Sequence, residues 1–161
     1  MDYSYYLTKF SNPSATYKKF VRDYIVERAT IAGRGEEDIS IWCKLEGDEL
    51  DTAKDFIFEH LKENPKIPYI LAAGTLRDEK VIPILRNIIQ TCPDRYVAEK
   101  LLAAKVLYEW IGYSDYIIML EKTCRVCDDE VRNYLRVSIG RFIDGLLEKD
   151  KLKIIQALER V

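Results

Sequence analysis

Apolar residues recur along most of this chain at the spacing of one face of an α-helix. Tyr17, Phe20, Val21, Tyr24, Ile25 and Ala29 form the first such set. Asn12-Pro13 ahead of it pairs a cap-type residue with a proline suited to a first turn, and Gly33-Arg34-Gly35 ends it. Glu36 to Leu45 reads as a short helix whose acidic start suits the helix dipole. After the break at Gly47-Asp48, Leu50, Ala53, Ile57 and Leu61 give the next stripe, closed by Asn64-Pro65. Residues 67–77 form one helix. Asp78 caps another, with Val81, Ile82, Leu85, Ile88, Ile89 and Cys92 on one face and Pro83 tolerable only in its first turn. From about 94 to 111 the chain is apolar almost all round, which predicts a helix sandwiched within a stack. Gly112 ends it, and Ile117, Leu120, Cys124 and Cys127 mark a further helix. Asp128-Asp129 caps one that turns Val131, Tyr134, Leu135, Ser138, Ile139 and Phe142 inward. Gly145 separates it from a last helix bearing Leu152, Ile155, Leu158 and Val161. No segment alternates apolar and polar with period two, so no sheet is expected.

A repeat overlies this pattern. Ala72-Ala73-Gly74-Thr75-Leu76, Ala103-Ala104-Lys105-Val106-Leu107 and Leu135-Arg136-Val137-Ser138-Ile139 end 31 and 32 positions apart, and a further step of 31 back reaches Leu45. A fixed period in this range marks stacked helix pairs. Leu76, Leu107 and Ile139 are therefore expected at equivalent buried positions.

Leu76-Arg77-Asp78 leading to Val81-Ile82-Pro83-Ile84-Leu85 resembles the turn and first helix of a HEAT-like repeat. Asp128-Asp129-Glu130-Val131-Arg132, leading to Ser138-Ile139-Gly140, resembles that family's second helix. The likeness is good over about 67–144 and faint over 1–35, and the middle repeat has Val97-Ala98 in place of the Val-Arg pair. The period is shorter than the ~40–47 residues of standard HEAT units and closer to the phycobilisome-lyase type. The resemblance implies an all-α, right-handed α-α superhelix of about seven to eight antiparallel-paired helices. Residues 1–161 form a single domain on this reading, with 1–35 as a capping region and 36–161 as repeats. It also implies a surface for other proteins, and in small bacterial chains one recurring role is immunity, the blocking of a cognate toxin. Fold is a weak warrant for function.

Composition changes this picture little. A content of 48% hydrophobic and 32% charged residues is that of a folded domain, and a net charge of −2 gives no global pull toward nucleic acid or anionic membrane. No apolar run approaches the ~20 residues of a membrane span. Met1-Asp2-Tyr3-Ser4-Tyr5-Tyr6 lacks the basic and apolar regions of a signal peptide, so a cytoplasmic location is expected. Cys124-Arg125-Val126-Cys127 has C-x-x-C spacing but no second ligand pair. All four cysteines, with Cys43 and Cys92, are expected as reduced thiols, with no metal and no cofactor.

The distribution of charge is more informative than its sum. Residues 36–63 carry ten carboxylates against three lysines, a net of −7. Asp48, Glu49, Asp51, Asp55 and Glu59 on this segment are candidate partner-binding residues for a basic protein, against the plainer reading of a solvated helix face. Lys105, Arg132, Arg136 and Arg141, with Lys100, lie off or along later core stripes and form a competing basic ridge. The sole histidine, His60, is expected exposed or capping at a helix end. No P-loop, G-x-G-x-x-G or H-E-x-x-H is present, and no catalytic constellation is recognisable. The expectation is a non-enzymatic protein-binding module, most concretely a toxin-neutralising immunity protein. A helical-repeat adaptor or assembly subunit is the alternative, and a HEAT-like DNA glycosylase a third; that one would need a strongly basic concave face and is disfavoured by a pI of about 5.6 and the shortness of the chain.

Overall fold

The computed structural model describes residues 4–26 and 39–112, together with the helical positions Asp129, Asn133, Val137, Gly140, Arg141, Asp144, Glu148 and Asp150 to Leu152. Among the described residues there is no strand, and the chain is all-α. It divides into two compact units, Met1–Leu76 and Arg77–Val161.

The first unit begins with a one-turn helix, α1 (Ser4–Thr8), in which the Thr8 hydroxyl donates to the Ser4 carbonyl at 2.8 Å. Helix α2 (Ala15–Phe20) starts just past Asn12-Pro13, because Ser14 is the cap and its Oγ accepts from the Tyr17 amide at 3.0 Å. At Val21 the helix widens into a π-helical turn, Val21–Val26, that buries Val21, Tyr24 and Ile25. The expected stripe is there, on a different backbone; Ala29 and Gly33-Arg34-Gly35 lie outside the described residues. Of the short helix expected over Glu36 to Leu45, the described part is a 3-10 turn, Ile39–Cys43, burying Ile41 and Trp42.

Helix α3 (Gly47–Glu63) opens on Gly47 at φ +52°, a backbone region that glycine enters without strain, and ends ahead of Asn64-Pro65 as expected. Helix α4 (Ile67–Leu76) packs on α3 and on the 3-10 turn. The core between them is aromatic. Phe20 meets Tyr24, Trp42 and Phe56 at centroid distances of 5.8, 5.6 and 5.8 Å, and Phe56 meets Tyr69 at 6.1 Å. His60 belongs to this core. It is buried, not exposed as its place near a helix end suggested, because α3 buries a wide face that includes Phe56, Ile57, Phe58, His60 and Leu61.

The second unit holds α5 (Val81–Thr91) and α6 (Val97–Ile111), packed on each other. Lys80, not the expected Asp78, is the N-cap of α5 and no side chain caps it; Asp78 stands two residues earlier, in a turn where its Oδ1 accepts from the Lys80 amide at 3.1 Å and its carbonyl from the Val81 amide at 2.9 Å. Pro83 falls in the first turn, where its missing N–H does no harm. A 3-10 turn, Asp94–Tyr96, leads into α6, and Gly112 at φ +67° ends it, donating to the Tyr108 carbonyl at 2.8 Å. Helix α6 is not enclosed all round. Ala103, Ala104, Val106 and Leu107 are buried, Leu101 and Leu102 half-buried, and Lys105, Glu109 and Ile111 exposed.

The repeat does not map onto equivalent burial. Leu107 is buried inside α6 and Leu45 is buried after the 3-10 turn, but Leu76 is the last residue of α4 and half-buried. Ile139 lies outside the described residues. Arg77 follows Leu76 at φ +48°, a left-handed conformation unusual for a side-chain-bearing residue.

Candidate protein-binding face

The outer side of α3 carries the candidate site. Asp48, Asp51, Asp55 and Glu59 fall three or four residues apart, one stripe along a helix, and all four are exposed. Helix α3 bears six carboxylates and two lysines, a net of −4. Its inner side is anchored by Ala53, Phe56, Ile57 and Leu61, each with no exposed surface. The stripe therefore stands on a packed platform and needs little ordering on binding.

Glu49 does something different. Its carboxylate accepts from the Ser14 amide at 2.8 Å and from the Ser14 hydroxyl at 2.5 Å. It ties α3 to the start of α2, so its charge is engaged within the fold.

Helix α1 flanks the stripe. The Tyr6 ring lies edge-on to Phe56 at 5.2 Å, and burial, then the Glu59 charge, Tyr5 and Asp55 push its hydroxyl above the ordinary tyrosine range. The Tyr17 hydroxyl donates to the Tyr6 carbonyl at 3.2 Å and is pushed up to about 12, by burial first and then by Tyr6, Glu49 and Tyr5. Tyr5 and Leu7 stand exposed beside these groups. The sequence reading missed this aromatic flank. Its signal in the sequence is the tyrosine cluster at Tyr3, Tyr5 and Tyr6.

The platform beneath is cross-tied by polar groups. Trp42 Nε1 donates to the Tyr24 hydroxyl at 3.1 Å, and the Tyr69 hydroxyl donates to the Tyr24 carbonyl at 3.4 Å. His60 stacks on Phe56 at 3.9 Å with Nδ1 2.7 Å from the Phe56 carbonyl. A carbonyl can only accept, so Nδ1 carries the proton. Its Nε2 is buried and has no hydrogen-bond partner among the described residues.

The basic ridge is described only in part. Lys105 is exposed and pairs with Glu109 at 3.6 Å, and Arg141 is exposed on a helix. Arg132 and Arg136 lie outside the described residues, as do Cys124 and Cys127. Lys100, expected off or along the core stripe, is buried on α6. It sits near Cys92, whose thiol burial pushes up while the lysine charge pulls it down. Cys43 and Cys92 are free thiols. Near the end of α6, the Tyr108 hydroxyl is hydrogen-bonded to Asp150, and burial followed by that carboxylate raises it. Among the described residues no three His, Cys, Asp or Glu side chains lie where they could share a metal ion, and no helix is long and apolar enough to cross a membrane.

No protein-family model, curated protein sequence or solved structure matches the chain.

Proposed function

We propose that this chain is a non-enzymatic protein-binding module, most concretely an immunity protein that neutralises a cognate toxin by covering a basic working surface. The observation that carries the reading is the stripe of Asp48, Asp51, Asp55 and Glu59 on a fully anchored helix. None of the four makes an ion pair among the described residues, whereas Lys105 on the competing basic ridge already has Glu109. Unshared charge on a rigid support speeds encounter with an oppositely charged partner, and a nuclease groove is such a partner. A HEAT-like superhelix of antiparallel pairs is the architecture that goes with this reading. Its support is the packing of α3 on α4 and of α5 on α6 across short connections.

The experiment is capture of the partner from the native host, followed by association kinetics with the Asp51→Lys, Asp55→Lys double variant. The charge change of four should slow association about tenfold or more at low salt and flatten its salt dependence, with the circular dichroism spectrum unchanged. Unchanged association at low salt removes the acidic face from the reading. Recovery of a housekeeping assembly in place of a toxin makes the chain an adaptor, and recovery of nucleic acid alone rejects the protein-binding reading.

A further inference from the structure

Helix α1 is a single turn, and none of its residues is buried. A helix this short does not hold itself together in water, so its order comes from docking. Among the described residues, the Tyr6 ring lies against Phe56 and the Tyr17 hydroxyl donates to the Tyr6 carbonyl, and both hold α1 to the core. Tyr5 and Leu7 each leave more than half of their surface in solvent, at 54% and 56%. What α1 covers is held by other contacts. Phe56 keeps Phe20, His60 and Tyr69 as ring neighbours, and Tyr17 keeps Phe10 at 4.9 Å and Phe20 at 5.8 Å.

We propose that α1 is a strap that lifts as a unit while the rest of the first unit stays folded, with the Tyr17 hydroxyl as its latch. Lifting bares the Tyr17 hydroxyl and the edge of Phe56 beside Asp55 and Glu59. That adds apolar area to an acidic face, which suits a partner presenting an apolar anchor among basic groups. This use of the strap rests on the binding reading above; the lifting itself does not.

The latch has a chemical signature. A phenol donates to the Tyr6 carbonyl, but a phenolate cannot, and it would face that carbonyl with the Glu49 carboxylate also near. The groups around the Tyr17 hydroxyl are Tyr5 and Tyr6 from α1 and Glu49 from α3, and together with burial they hold its titration at about 12. With the strap lifted it should return toward the ordinary value of ~10. The sign follows. Below pH ~10 both states keep the proton and the latch is intact. As pH rises from ~10 to ~12 the lifted state ionises first, and the balance shifts toward it by at most ~100-fold, less with solvent screening.

The test uses the full chain without any partner, so its outcome is independent of whether the acidic face binds one. Tyr17→Phe keeps the ring and removes the donor. Hydrogen exchange over Ser4–Thr8 at neutral pH should quicken by roughly 2- to 12-fold, the equivalent of one hydrogen bond, with α3 and α4 unchanged. In the unsubstituted chain the Tyr17 ring carbon, followed by NMR, should titrate near 12. In Tyr6→Ala, which frees the strap from Phe56, it should move toward ~10 while α3 stays protected. The proposal is overturned if Tyr17→Phe leaves exchange over Ser4–Thr8 unchanged or quickens α3 equally. It is overturned as well if Tyr17 titrates near ~10 in the unsubstituted chain, or stays near 12 in Tyr6→Ala.

Discussion

Replacing Tyr24 by Phe tests whether the platform under the acidic stripe is held by polar ties as well as by apolar packing. Tyr24 and Trp42 are 2% and 5% exposed, and the Trp42 indole N–H donates to the Tyr24 hydroxyl at 3.1 Å. Phenylalanine keeps the ring, and with it the contacts to Phe20 at 5.8 Å and Trp42 at 5.1 Å. It also keeps the Tyr24 carbonyl that the Tyr69 hydroxyl uses. The substitution leaves an indole N–H in an apolar interior without its acceptor. Orphaning a buried donor costs about 1–3 kcal/mol, more than the net worth of the bond, because no water replaces the acceptor. At about 2–4 °C per kcal/mol for a chain of this size, the melting temperature should fall by about 2–12 °C. Urea unfolding followed by circular dichroism gives the free energy. Exchange of the Trp42 indole proton, resolved by NMR from that of Trp110, gives the local effect and should quicken. Tyr69→Phe is the control, since its longer 3.4 Å bond should matter less. A loss below ~0.5 kcal/mol with unchanged indole exchange would refute the reasoning, since the N–H would then have another outlet.

Two further substitutions probe the cores of the two units. His60→Phe keeps a ring on Phe56, gives up the Nδ1 bond, worth about 0.5–1.5 kcal/mol, and removes the orphaned Nε2, which costs about 1–3. The variant should lie between about 0.5 kcal/mol less and about 2.5 kcal/mol more stable than the parent; a loss above ~1 would show that Nε2 is satisfied in solution. Leu107→Ala removes a side chain with no exposed surface from the buried side of α6 and should cost about 2–5 kcal/mol in denaturant unfolding. A cost below ~1 would mean that the site collapses around the smaller residue or that α6 is rotated about its axis.

Local chemistry made α3 through α6 legible. Each has a stripe of apolar residues with a proline or glycine signal at its ends, and these act within a few residues of where they sit. The acidic stripe was legible for the same reason, since a spacing of three or four is enough to align Asp48, Asp51, Asp55 and Glu59. The widening of α2 into a π-helical turn was not. Tyr17, Phe20, Val21, Tyr24 and Ile25 suit one face of either helix, and the choice between hydrogen-bond patterns falls to packing against Trp42 and Tyr69. His60 was misread for a related reason. Being polar and near a helix end says nothing of how wide a face the helix buries, and that width is set by Tyr69 on α4 coming over it.

The sequence by itself determined an all-helical chain, the places where its later helices stop, and the concentration of negative charge on α3. Those follow from propensity, period and composition, which are properties of neighbours along the chain. Tertiary structure decided which charges stay unshared. Glu49 and Asp51 look alike in the sequence, yet Glu49 is bound to Ser14, 35 residues away, while Asp51 faces solvent. It also set α1, a segment too short to be helical unaided, against the aromatic core and beside the stripe. Contacts between residues distant in the chain form only once the core closes, because the burial of apolar surface then outweighs the entropy of closing the intervening loop.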